Sequence, residues 1–155
     1  MNLKEIADGL SAKFGIDGLA VEDGEVALEI DEIPILLSEG KDAAIVMTGF
    51  VGDAPAEGGE TFANMLLEGT MNLMDEKSAA FARNPETGAY ALVQRVGQDG
   101  LSLDAFSEVL GGFVNLLETW RGMLEDFRPA AAAAKVAADA QPHEQELAMS
   151  GFMQV

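Results

Sequence analysis

The residues able to do chemistry are few and scattered. His143 is the single histidine, beside Pro142, with no neighbour in sequence to fix its tautomer or complete a metal site, so it reads as a solvated side chain. Cysteine is absent, which removes a thiol nucleophile, a Cys-ligated zinc and a disulfide framework, and fits a reducing compartment. No Ser–His–Asp relay is possible beyond His143. Carboxylates are plentiful, and Glu22, Asp23, Glu25, Glu29, Asp31 and Glu32 crowd one stretch. They fall on turns and wet strand faces, whereas a general acid–base pair needs burial or close approach to separate its pKa values. No Asp-x-Asp-x-Asp-Gly calcium loop occurs. Gly49-Phe50-Val51-Gly52 and Gly58-Gly59 lack the Gly-Lys-Ser/Thr ending of a P-loop and the GxGxxG dinucleotide pattern, and read as turns. Asn84-Pro85-Glu86-Thr87-Gly88 is close in letters to a sortase sorting signal, but it lies mid-chain without a following membrane span and reads as a hairpin turn. The expectation is a chain that is not an enzyme, with no catalytic residue, no metal and no cofactor.

Composition points the same way. The 155 residues include 9 basic and 27 acidic side chains, a net charge of −18. Such a surface repels nucleic-acid phosphates and anionic lipid headgroups. Hydrophobic residues make up 48% of the chain, enough to build one core without a staple. No stretch has the length of a membrane span, and the start of the chain lacks an apolar signal-peptide core, so a cytoplasmic protein is expected.

These residues need elements to hold them. Asn2 with Glu5 forms a capping box for a helix over 2–14, whose stripe is Leu3, Ile6, Ala7, Leu10 and Phe14, and Gly15 suits its left-handed end. Strands follow at Leu19–Glu22 and Glu25–Ile30, joined by an Asp23-Gly24 turn, then at Ile33–Ser38 and Ala43–Val51 about Gly40-Lys41-Asp42. Pro34 belongs on an edge or at a strand start. Gly52–Gly59 is a loop, and a helix runs over about 60–73 with Phe62, Met65, Leu66 and Leu73 inward. Its Gly69 implies a close contact. Ala79–Arg83 and Ala89–Arg95 make a second hairpin. The strongest periodicity lies in 102–127, where Leu103, Phe106, Leu110, Phe113, Leu117, Trp120, Leu124 and Phe127 form a stripe wide enough to cover a sheet. Gly111-Gly112 within it suggests close approach to a strand. An Ala-rich low-complexity tail occupies 129–155, with a short amphipathic stretch at 144–153. The class is α+β, an antiparallel sheet with helices packed on it, in the order α-β-β-β-β-α-β-β-α within a domain spanning 1–128.

Eight methionines, among them Met47, Met65, Met71, Met74 and Met123, supply adaptable side chains suited to core filling or to binding surfaces. Over about residues 2–127 the chain resembles the type III secretion chaperones of the Tir chaperone (CesT) family. The resemblance rests on the first helix ending at Phe14-Gly15 and the Asp23-Gly24 turn with Val26, Leu28, Ile30 and Asp31. It continues through Gly49-Phe50-Val51-Gly52, Met65-Leu66-Leu67, Asn72-Leu73, Phe113-Val114 and Glu118-Thr119-Trp120-Arg121. It departs at Glu68-Gly69-Thr70, where an Ala-Asn-like pair is expected, and in its longer tail.

The resemblance implies a cytosolic homodimer that holds the extended N-terminal segment of a secreted effector without ATP. Such a segment would place apolar side chains in surface grooves and add a strand to a sheet edge. The expected effector-binding groove comprises Leu10, Phe14, Ile16, Val26, Leu28, Ile35, Leu37 and Val46. The expected dimer contact comprises Phe62, Met65, Leu66, Phe81, Tyr90 and Leu92. A homodimeric YbjN-like interaction domain with no secretion role is the alternative.

Overall fold

Asn2 caps α1 (Leu3–Phe14) in a complete capping box: its Oδ1 accepts from the Glu5 amide at 2.9 Å, and Glu5 Oε2 accepts from the Asn2 amide at 2.8 Å. Gly15 closes the helix in the left-handed region. The structure, a computed structural model, describes residues 1–129; the rest of the Ala-rich tail, with His143 and the stretch at 144–153, lies outside the described residues.

The strands are β1 (Glu25–Ile30), β2 (Ile33–Gly40), β3 (Ala44–Gly52), β4 (Ala79–Arg83) and β5 (Tyr90–Gly97), with α2 (Gly59–Lys77) between β3 and β4 and α3 (Leu103–Glu125) last. They form one antiparallel sheet in the order β1-β2-β3-β5-β4. The Asp23-Gly24 turn forms as expected, with φ of 50° and 77°, but the strand expected at Leu19–Glu22 reduces to a single bridge between Glu22 and Glu25. The chain leaves β1 after that one residue, and Leu19 packs against the core from outside the ladder. The long hairpin is β1–β2, turned by Asp31 and Glu32, both left-handed at φ of 50° and 64°.

Side-chain alternation sorts the sheet into two faces. Val26, Leu28, Ile35, Leu37, Ile45, Met47 and Leu92 are buried on one of them. The register sets Leu28 against Ile35 and Leu37 against Met47, so this apolar face is continuous across strands. Phe106, Leu110, Phe113 and Leu117 of α3 and Leu3, Ile6, Ala7 and Leu10 of α1 join it in one core. The opposite face, with Ala27, Leu36, Thr48 and Phe50, has none of the three described helices over it and stays half-buried or exposed.

Gly49 lies within β3 rather than in a turn, and a bulge between Phe50 and Gly52 bends the strand end. A Cβ at Gly49 would stand only 2.8 Å from Leu117 Cδ2 and 3.0 Å from its Cγ, so the missing side chain is what lets α3 settle onto the sheet. Gly69 does the same for α2, since a Cβ there would fall 2.8 Å from Trp120 Cζ2 and 3.4 Å from Phe81 Cε2. The close approach expected at Gly111-Gly112 does not occur, because a Cβ at either position meets nothing within 4 Å. The two glycines sit on the half-open side of α3, while its sheet contact is made by Phe113 and Leu117.

These glycines should therefore respond in opposite senses. Gly49→Ala is expected to destabilise the fold by about 1–3 kcal/mol through overpacking against Leu117. Gly112→Ala should stabilise it by up to ~1 kcal/mol through helix propensity alone. Urea unfolding of the two variants measures both.

Candidate functional site

Three elements leave a gap where they meet. The end of α1 contributes Leu10 and Phe14, with Ile16 just beyond; β1 contributes Leu28, Glu29 and Ile30; α3 contributes Ser107, Leu110, Gly111, Val114 and Asn115. They line an open groove of about 460 Å³, with Asp31 at the turn. Its walls are apolar because it is an unfilled part of the sheet–helix seam. Phe14, 56% exposed, hangs at its mouth. Gly111 keeps α3 from closing it, since any side chain there would project into open space.

The groove's outer wall is a sheet edge. Glu22 and Glu25 exchange both backbone hydrogen bonds at 2.9 Å. In an antiparallel ladder the outward-pointing residues alternate, so Ala27 and Glu29 also direct their amides and carbonyls away from β2, and β1 is the outermost strand. The other edge is different. Along β4, Thr70 Oγ1 accepts the Phe81 amide at 3.1 Å while donating to the Leu66 carbonyl at 2.9 Å, so α2 occupies that side. Phe62, Trp120, Phe81, Tyr90 and Phe127 pack around this junction at centroid separations of 4.7–6.3 Å.

Of the eight residues expected to bind an effector, Phe14, Ile16 and Leu28 come together in the groove, with Leu10, 1% exposed, beneath its floor. Val26, Ile35 and Leu37 are at most 2% exposed beneath the helices and have no surface to offer. Val46 is on the uncovered sheet face, away from the others. Of the expected dimer residues, Phe62, Leu66, Tyr90 and Leu92 are buried inside the chain, while Met65 and Phe81 are half-buried. The outward side of α2 instead shows Leu67, Met71 and Met74, at 65%, 78% and 58% exposure. Their spacing of four and three places them on one helix face. That spacing is legible in sequence, offset by one from the inward Leu66 and Leu73. The groove residues Ile30, Leu110 and Val114 carry no such mark, since they read as ordinary core.

Among the described residues, no three His, Asp or Glu side chains gather as a metal site would need. No described helix is long and apolar enough to cross a membrane. One ion pair braces the groove's helices: Lys13 Nζ and Asp104 Oδ1 are 2.7 Å apart, joining the end of α1 to the start of α3.

Residues 5–121 match the Tir chaperone protein (CesT) family. The chain belongs to that family. No curated protein matches the sequence. Among solved structures, a chain of the HopA1–SchA chaperone–effector complex aligns with a TM-score of 0.66 at 19% identity, covering 77% of this chain and 92% of that one. A chain of the ExsC–ExsE complex gives 0.66 at 17% identity over 80% and 97%. A chain of the Yersinia pestis type III secretion chaperone SycH complex with a YscM2 fragment gives 0.60 at 16% identity over 76% and 98%. At these identities the likeness establishes the shared α+β fold.

The Lys13 hydrogen bond, and secondarily its charge, hold the Asp104 carboxyl below the ordinary carboxylate range. A lowered carboxylate pKa gives stability that is present above the unfolded value and lost as pH falls through the folded one. For so exposed a pair the effect is small. Lys13→Ala should move the Asp104 midpoint back up toward the ordinary value, read by an NMR pH titration of its side-chain carboxyl.

Proposed function

We propose that this chain is a dimeric cytoplasmic chaperone that holds the extended N-terminal segment of a type III secreted effector, with no nucleotide involved. The observation that carries the reading is the groove between α1, β1 and α3, open alongside an outermost strand, in a member of the Tir chaperone family. A segment laid along β1 would gain main-chain hydrogen bonds from the edge and place alternate side chains in the groove. Two of the similar structures support it: HopA1–SchA is a chaperone–effector complex, and ExoU–SpcU is a heterodimeric complex from the type III secretion system of Pseudomonas aeruginosa. The dimer contact we assign to the outward stripe of α2, Leu67, Met71 and Met74, which is apolar, adaptable and exposed among the described residues. Two copies would carry twice −18, or −36, which opposes self-association of the open grooves.

Binding is tested by identifying the bound protein after purification from the native host and titrating its N-terminal segment calorimetrically without nucleotide. Gly111→Leu separates binding from folding. It should raise or preserve stability, because leucine is the better helix former, yet weaken binding at least about tenfold by filling the groove. Unchanged affinity would place the segment elsewhere. Met71→Glu should convert the dimer to a monomer in light scattering while leaving the helical circular dichroism intact. A wild-type chain that is already monomeric at micromolar concentration would overturn the dimer.

A further inference from the structure

The groove's outer wall carries a charge pattern that an apolar pocket does not need. On β1, Val26, Leu28 and Ile30 face the helices, while Glu25, Ala27 and Glu29 face the other way. A strand added to the edge must sort its side chains likewise, one set toward the groove and the alternate set beside Glu29 and Ala27. Glu29 and Asp31 both line the groove rim, and Glu22, Asp23, Glu25 and Glu32 follow the same edge, all exposed. The ion pairs among the described residues are Lys4–Asp8, Lys13–Asp104 and Arg95–Asp42, so none of these six carboxylates pairs with a cation among the described residues. Like charges so placed repel one another, and an incoming cation relieves that repulsion.

From this charge complementarity, and resting on the chaperone reading above, we infer that Glu29 and Asp31 select a partner segment in which Lys or Arg stands between two apolar residues. The apolar residues enter the groove against Phe14, Ile16 and Ile30, which have surface there. The cation lies on the opposite side of the added strand, across from Glu29, with Asp31 next to it in the turn. Position 27 is Ala, beside the uncovered face lined by Leu36 and Phe50, so the partner residue two places along faces no charge and is small or apolar. The segment is thus an extended amphipathic one with a cationic outer side, rather than a uniformly apolar stretch.

Three synthetic peptides test this against the full chain by fluorescence anisotropy. All share alternate Leu and Val residues, and their intervening positions are Lys, Gln or Glu. The Lys peptide should bind about five- to tenfold more tightly than the Gln peptide, and the Glu peptide more weakly than either. Most of that preference should vanish between about 0.05 M and about 0.5 M salt. Glu29→Gln with Asp31→Asn should abolish the preference; asparagine tolerates the left-handed conformation that Asp31 adopts, so the turn is retained. Glu57→Gln with Glu60→Gln removes the same net charge from exposed positions at the start of α2 and should leave it intact. Equal binding of the Lys and Gln peptides, or equal effects of the two double variants, overturns the inference. The groove reading then still stands if Gly111→Leu weakens the Gln peptide. Failure of all three peptides to bind overturns both.

Discussion

Leu117 lies in the space above Gly49 where any other residue would carry its Cβ. That contact sets the height of α3 over the sheet, and most of the molecule follows from it. With α3 seated there, Phe106, Leu110 and Phe113 reach the β1–β2–β3 face, and α1 fills the remaining space beside them. Trp120, three residues beyond Leu117, comes to rest over Gly69 of α2 and against Phe81 of β4. The two glycines thus seat one helix on the sheet and against its neighbour. Close packing of this kind leaves little room for adjustment, and a change at either position is felt along the whole of α3.

The elements were largely legible, because their signals are local. The capping box at Asn2 and Glu5, the left-handed Gly15, the Asp23-Gly24 turn and the α3 stripe each act within a few residues. What sequence could not give was how elements meet. Gly49 looks like loop punctuation beside Gly52, and only the α3 contact explains it. Gly111 and Gly112 look like a packing site, yet they border open space. The strand at Leu19–Glu22 had the right residues and the right turn, but only Glu22 pairs with β1, and Leu19 reaches the core without the ladder. The departure at Glu68-Gly69-Thr70 is now intelligible: Gly69 admits Trp120, and Thr70 ties α2 to β4.

The candidate site was half legible for a related reason. Alternation along β1 and β2 distinguishes two faces but not which one the helices cover. Val26, Ile35 and Leu37 therefore resembled groove residues as much as Leu28 does. Their burial is decided by α1 and α3, which are distant in sequence. The stripe Leu67, Met71 and Met74 carried its own mark, a second apolar line on a helix already holding an inward one, and it is exposed among the described residues.

The shortness of the Glu22–Glu25 pairing has a consequence for the chain on its own. An outermost strand with unused backbone groups is a template for stacking one molecule on another, the usual route to fibrils. Here two β1 edges brought together would set Glu22, Glu25 and Glu29 of one copy against the same acids of the next. The acids along the edge thus disfavour pairing with its own kind without removing its backbone groups.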